Sequence, residues 1–253
     1  MLLILMYHRA GEGYYSNPVS VLRSHFSYFR EHYPAVLPGD VLKPRRLNLC
    51  LTFDDARADF YAHVFPLLQE FSLRAVLAVP TAFIVESTAL GLPERIAVPE
   101  EQSMQGDVFR TKAPFCTWAE LRSMAGSGSV AVASHSHQHV DLTYPGSDPY
   151  VEALHSKTLL EQQLGRPVST FVYPFGRVNA RAHQAVTQHY PYTMRIGSAL
   201  NAHWAPRRQP LCRVSGDRVA NVRGLLRWDR LAGYALKWFT NRLRAASGKW
   251  HAL

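Results

Sequence analysis

Cysteine is scarce: the 253 residues hold three, Cys50, Cys116 and Cys212, far apart and without C-x-x-C spacing. An odd number cannot close a disulfide framework, so all three are expected to be buried thiols in a reducing compartment. Long hydrophobic runs are also missing. The opening MLLILMYHRA has five apolar residues between Met1 and Tyr7, with no basic residue before them and no cleavage signature. That is too short for a signal peptide or for the ~20 residues of a membrane span, so a cytoplasmic chain is expected. Charged residues make up only 19% against 47% hydrophobic, which excludes disordered, collagen-like and low-complexity classes. No repeat and no Gly/Ser-rich linker interrupts the chain, so residues 1–253 read as one domain.

Acidic residues are outnumbered, 19 against 28 Lys+Arg, for a net charge of +9. Residues 222–253 carry seven of the bases and a single acid, Asp229, leaving only +3 on the rest. A uniformly basic nucleic-acid surface is therefore disfavoured, and no recognition motif for nucleic acid is present. Any preference for anions belongs to the C-terminal segment.

Short apolar runs alternate with longer amphipathic ones from end to end, the pattern of an α/β fold with parallel strands. Seven strands are predicted: Leu2–Tyr7, Leu47–Phe53, Arg74–Val79, Ser129–Ala133, Thr170–Tyr173, Tyr192–Ile196 and Leu211–Val214. Helices are predicted over Val19–His32, Phe60–Phe71, Thr117–Ala125, Pro149–Leu164, Ala180–Tyr190 and Val219–Ala246. Thr117 with Glu120 has capping-box spacing, and Asp148 precedes a proline suited to a first helical turn. The stretch from Glu86 to Pro114 breaks the alternation and reads as a long insertion, a candidate wall of a substrate groove.

The polar residues that stand out fall at strand ends. Asp54 and Asp55 sit side by side where a buried strand runs out, a costly arrangement unless a cation or proton compensates it. His135, His137 and His139 follow another strand, Tyr173–Gly176 (Y-P-F-G) a third, and His8 ends the first. In a parallel barrel all strand C-termini open on one face, so these segments converge. His135 and His139, four apart, can share a metal, and one Asp carboxylate completes a two-His, one-carboxylate set with positions open for water and substrate. Such a set suits Zn²⁺ first, with Co²⁺, Ni²⁺ or Mn²⁺ as alternatives.

T-F-D-D at Thr52–Asp55, H-S-x-x-H at His135–His139 with Leu142 after it, and Y-P-F-G at Tyr173–Gly176 together resemble the polysaccharide deacetylases of carbohydrate esterase family four. The order and spacing match over about Leu49 to Gly176, and the opening M-Y-H resembles the branch that includes poly-N-acetylglucosamine deacetylases. The resemblance implies a distorted seven-stranded (β/α) barrel and metal-dependent removal of an N-acetyl group from a saccharide. It implies Asp55, His135 and His139 as metal ligands and Asp54 as general base. The Phe175 backbone N–H would hold the oxyanion, and Arg213 would orient the base. The late L-x-H histidine of most members is absent, which leaves His8, from the first strand, as the acid. Asp217 reads as an ordinary turn residue, with steadying a histidine as the alternative. Ala56 replaces the glycine that commonly follows the aspartate pair, Val172 stands where many members have arginine, and the D-x-x-D-W type motif is absent. Alternation points His137 away from its two neighbours.

Wound at 3.6 residues per turn, residues 223–244 form a basic amphipathic helix with Trp228, Leu231, Leu236, Trp238 and Phe239 on its apolar side. Its first reading is the last helix covering the barrel; the alternative is an interfacial helix on the inner face of an anionic membrane. Both hold if the early part packs and the later part protrudes. The expected function is deacetylation of an amino sugar in a glycan or in a lipid-linked or nucleotide-linked saccharide. Deformylation or deacetylation of another amide, and a non-catalytic glycan- or membrane-binding barrel, are the alternatives. Oligomeric state is left open.

Overall fold

A computed structural model describes residues 1–204 and 207–246, with side-chain surroundings through residue 241. Seven parallel strands close into a barrel in sequence order: β1 Leu2–Tyr7, β2 Asn48–Phe53, β3 Ala75–Val79, β4 Val130–Ser134, β5 Thr170–Val172, β6 Tyr192–Ile196 and β7 Leu211–Ser215. Every strand of the expected seven is present, with ends within a residue of the expectation. Pairing is uneven around the ring. β1 and β2 share six register pairs, from Leu2↔Asn48 to Tyr7↔Phe53, whereas β4 and β5 meet only at Ser134↔Phe171 and β7 closes on β1 through Leu5↔Val214 and Met6↔Ser215. The ring is thinnest at these two seams.

Two hydrophobic layers follow from the strand period of two. Leu2, Ile4, Cys50, Val76, Ala78, Ala133, Val172, Met194 and Leu211 pack together inside the barrel. The alternate residues, among them Leu3, Leu5, Leu49, Leu51, Ala75, Leu77 and Phe171, pack outward against the helices. Strands buried on both faces need apolar residues at every position, which is why they read as continuous runs. The covering helices are α1 Val19–His32, α2 Phe65–Glu70, α3 Trp118–Gly126, α4 Pro149–Leu164, α5 Ala180–Val186 and α6 Trp228–Ala246. The Thr117 hydroxyl accepts from Glu120 N–H at 3.2 Å while Glu120 Oε2 accepts from Thr117 N–H at 2.8 Å, so the capping box forms. Asp148 Oδ1 accepts from the amides of Tyr150 and Val151.

Three expectations change. The expected helix over Phe60–Phe71 starts as a π-helical turn, Phe60–Val64, before α2. Residues 86–114 are not an open loop but carry three short helices, Leu92–Ile96, Glu100–Ser103 and Val108–Thr111. Arg95 anchors them: it is buried, pairs with both Glu120 oxygens at 2.7 and 2.8 Å, and donates to the carbonyls of Ala113 and Phe115. The continuous helix expected over Val219–Ala246 breaks at Leu226–Arg227 into a turn, Val222–Leu225, and α6. Residues 247–253, the end of the basic 222–253 segment, lie outside the described residues. Cys50, Cys116 and Cys212 are all free and buried.

Candidate active site

The barrel parity that fills the interior with Leu2, Ile4, Cys50, Ala133 and Leu211 also aims the polar residues. Counting on by twos from these positions reaches His8, Asp54, His135 and Arg213, so four strands direct a chemically active side chain into the barrel mouth. Arg213 is fully buried there and grips Asp54 with two parallel bonds, Nη1 to Oδ1 at 2.6 Å and Nη2 to Oδ2 at 2.8 Å. Thr52 Oγ1 accepts a further bond from Arg213 at 3.2 Å. Burial alone would raise the Asp54 carboxyl, but the Arg213 guanidinium, with lesser help from His135 and His8, holds it below its ordinary value. Asp54 is therefore a fixed, ionised carboxylate.

His8 faces it, with Nε2 at 3.8 Å from Asp54 Oδ2. Its other ring nitrogen, Nδ1, donates to Asp217 Oδ2 at 2.6 Å, and its backbone N–H donates to Asp217 Oδ1 at 3.1 Å. The expectation that Asp217 is an ordinary turn residue is thus corrected: it clamps the histidine. Asp217 lies two residues past β7, and β7 and β1 are neighbours, so barrel closure brings the two together across 209 positions. Burial works against a charged His8, yet the Asp217 hydrogen bond and the charges of Asp54, Asp55 and Asp217 override it and raise its pKa to about 9. At neutral pH His8 carries both ring protons, and Nε2–H points into the mouth.

Asp55, His135 and His139 form the second half of the site. His135 Nδ1 lies 2.8 Å from the Val172 carbonyl. A carbonyl only accepts, so Nδ1 carries the hydrogen and Nε2 presents a lone pair. Burial is the main cause that pushes His135 down to about 4, which leaves it a neutral imidazole. Asp55 Oδ1 sits 3.5 Å from His135 Nε2 and 3.3 Å from His139 Nε2, and it is buried without a hydrogen-bond partner. Desolvation opposes its charge, but His139, His135 and His8 hold its carboxyl well below the usual range. One ligand atom from each of the three residues lies within 4.8 Å of the others. An orphaned carboxylate oxygen facing two imidazole nitrogens is a donor set that fits a divalent ion.

Local backbone geometry builds this cluster. Asp55 and Ala56 take left-handed conformations, φ +69° and +49°, directly after β2, and His139 takes φ +53°. The turn that glycine would favour is thus retained with alanine at position 56, fully buried and against the steric preference of an L-residue. In the Y-P-F-G turn, Phe175 has φ +57°, and the turn's two bonds, Gly176 N–H to Tyr173 O and Arg177 N–H to Pro174 O, do not use the Phe175 amide. The Phe175 ring packs edge-on to His139 with centroids 4.9 Å apart. Gly176 has φ +65°, and a Cβ there would lie 2.6 Å from the Ile196 side chain. Gly176→Ala is accordingly expected to cost about 2–3 kcal/mol in urea unfolding, from left-handed strain and overpacking together.

The remaining histidines fall elsewhere. His137 turns away, as alternation suggested, with Nδ1 2.9 Å from Thr81 Oγ1 and its ring against His155. His203 is exposed beside Trp204, and His251 lies outside the described residues. The sequence reading missed a rim built from the neighbours of site residues. Arg57 is buried, lies over the Phe115 ring and donates to Val98 O at 2.7 Å, while Arg9 donates to Ile96 O at 3.4 Å. Asp59, also buried, accepts from Ala10 N–H at 2.5 Å. The Arg9 and Arg57 bonds hang the 86–114 segment from a residue next to His8 and from one two positions past Asp55, which sets it beside the mouth. Their signal was the clustering of Arg57 and Asp59 just after the aspartate pair. The exposed Tyr15 ring lies 5.3 Å from His8.

Comparison with known proteins bears on the same stretch. A family model described as polysaccharide deacetylase matches residues 43–194. The poly-beta-1,6-N-acetyl-D-glucosamine N-deacetylase of Escherichia coli K12 is 32% identical over 149 residues, 54% of this chain. The match spans only 20% of that protein's length. Among solved structures, a Bacillus cereus polysaccharide deacetylase superposes with a TM-score of 0.72 at 17% identity, covering 91% of this chain and 68% of the other. A Streptococcus pyogenes deacetylase, in complex with acetate, gives 0.70 at 19% identity over 89% and 96%. These likenesses show the shared fold. The family match spans β2 through the start of β6, and with it Asp54, Asp55, His135, His139 and the Y-P-F-G turn, so the chain belongs to the polysaccharide deacetylase family.

Proposed function

We propose that this protein is a metal-dependent hydrolase that removes an N-acetyl group from an amino sugar in a glycan or in a lipid-linked or nucleotide-linked saccharide. The observation that carries the reading is the meeting, at one barrel mouth, of an ion-paired carboxylate, a protonated histidine and a three-residue donor set, in a chain of the polysaccharide deacetylase family. Asp55, His135 and His139 would hold a divalent ion, Zn²⁺ first on the chemistry of the donors. When bound, such an ion polarises the amide carbonyl and acidifies water.

The chain's own residues supply the rest. Asp54, fixed by Arg213 and ionised, takes the proton from the attacking water. The Phe175 N–H holds the carbonyl oxygen as negative charge develops on it. His8 gives its Nε2 proton to the leaving nitrogen, and Asp217 stabilises the imidazolium until that transfer. Water and amide are thereby converted to acetate and a free amine. The exposed aromatic ring of Tyr15 beside His8 suits stacking against a sugar ring. As part of the same proposal the enzyme works in the cytoplasm, in keeping with its three free thiols.

Elemental analysis is expected to find about one divalent ion per chain, together with amine release from N-acetylglucosamine oligomers that stops on chelation and returns with metal. Metal without release would move the reading to another amide, such as a formyl group. No metal from metal-replete protein would favour a non-catalytic glycan-binding barrel.

A further inference from the structure

Helix α6 divides its apolar residues around its circumference rather than along its length. Leu231, Tyr234 and Ala235 pack against the outer core, and Trp238, on the same face, is half-buried. Tyr234 O accepts from Leu200 N–H at 3.1 Å and Asn241 Nδ2 donates to Gly197 O at 3.0 Å, so this side is tied to the barrel. A second apolar line, Trp228, Ala232, Leu236 and Phe239, recurs at i, i+4, i+8 and i+11 and is left in water. Trp228 is 81% exposed, Leu236 66% and Phe239 59%. The earlier alternative, an early part that packs and a later part that protrudes, is replaced by two faces of one helix.

We propose that this second face is a docking surface for an anionic lipid bilayer, on which α6 lies flat. Charge selects this occupant. The polar side of the helix carries the exposed Arg230 and Lys237, and the only acid of the segment, Asp229, is paired with Arg227 at 3.1 Å. Over residues 222–253 the net charge is +6. A Trp/Leu/Phe stripe on a segment of net charge +6 suits the boundary between acyl chains and anionic headgroups, where the rings are buried and the excess positive charge is drawn to the surface. No helix among the described residues is long and apolar enough to cross a membrane, so the mode is lying on the surface. The barrel fixes the helix's orientation, which means the stripe is presented without a prior folding cost.

The test is co-sedimentation of the intact protein with vesicles of phosphatidylcholine alone or mixed equally with phosphatidylglycerol. The expected result is retention by the mixed vesicles only, weakened by salt. Leu236→Glu with Phe239→Glu should lower the partition at least tenfold, and Arg230→Gln with Lys237→Gln by about fivefold per charge. Val41→Glu, at an apolar residue 92% exposed elsewhere, should leave it unchanged. Thermal unfolding of each variant checks that the fold is intact, and because binding is read directly, the outcome is independent of the deacetylase reading. Equal binding to both vesicle types, or wild-type binding by the Leu236/Phe239 variant, overturns the proposal. So does lipid-free self-association lost in that same variant, which would assign the face to a second copy of the chain.

Discussion

Asp54→Asn is expected to remove at least ~10²–10⁴-fold of kcat while leaving about one metal ion per chain, whereas His135→Ala is expected to lose both activity and metal. The asymmetry follows from where each side chain points. Asp54 spends both oxygens on Arg213 and neighbours the donor set without belonging to it. His135 presents Nε2 to Asp55 and has its tautomer fixed by Val172 O. Asparagine keeps the volume of Asp54 but cannot take a proton, and it leaves the buried Arg213 charge without its counter-ion. Breaking such a buried pair from one side costs about 3–5 kcal/mol, so the variant should also unfold at lower urea while still folded under assay conditions. Metal analysis and single-turnover amine release on both variants check the assignment. Equal metal loss in the two would undo it.

The second large effect is expected in the pH profile of Asp217→Asn. With Asp217 present His8 is raised to about 9 from an ordinary 6.5, so its proton is held throughout the neutral range and is lost as pH climbs through the folded value. Asparagine can still accept a hydrogen bond through its amide oxygen, but the bond loses its charge assistance and one of three favourable charges is gone, so burial pulls the imidazole down. The alkaline limb of kcat/KM should move to lower pH by roughly one to three pH units, with KM little changed. The same sign governs stability: the His8–Asp217 contribution is complete below about 6.5 and fades as pH rises through about 9. His8→Ala should cost about 10²–10⁴-fold at every pH and abolish that limb. An alkaline limb that stays in place in Asp217→Asn would show that His8 is not the acid or that Asp217 does not tune it.

How much of this was legible in the sequence depended on the range of the interaction. The strands were legible because burial on both faces demands uninterrupted apolar residues, as in Leu2–Tyr7, all six of them buried. Asp54, Asp55, His135 and His139 were legible because charged or ligating side chains directly after such runs have no solvent-independent reason to be there. The three helices inside the 86–114 insertion were not legible because they are too short to show periodicity and depend on a remote anchor, Arg95 to Glu120. The break in the C-terminal helix and the division of α6 into two faces were hidden for a related reason. A hydrophobic pattern shows which residues avoid water but not whether the barrel is wide enough to cover all of them.

Local chemistry thus determined the fold class, the strand-end placement of the reactive residues and the donor set. Tertiary structure alone decided the partners. Asp217 could be known as the clamp on His8, and Arg213 seen to grip Asp54 in two parallel bonds, only once β7 had closed beside β1, because ring closure is a long-range event with no local signature. Likewise, only the packed barrel shows that Trp228, Leu236 and Phe239 stay in water, since the area available to bury them is a property of the whole surface and not of the helix.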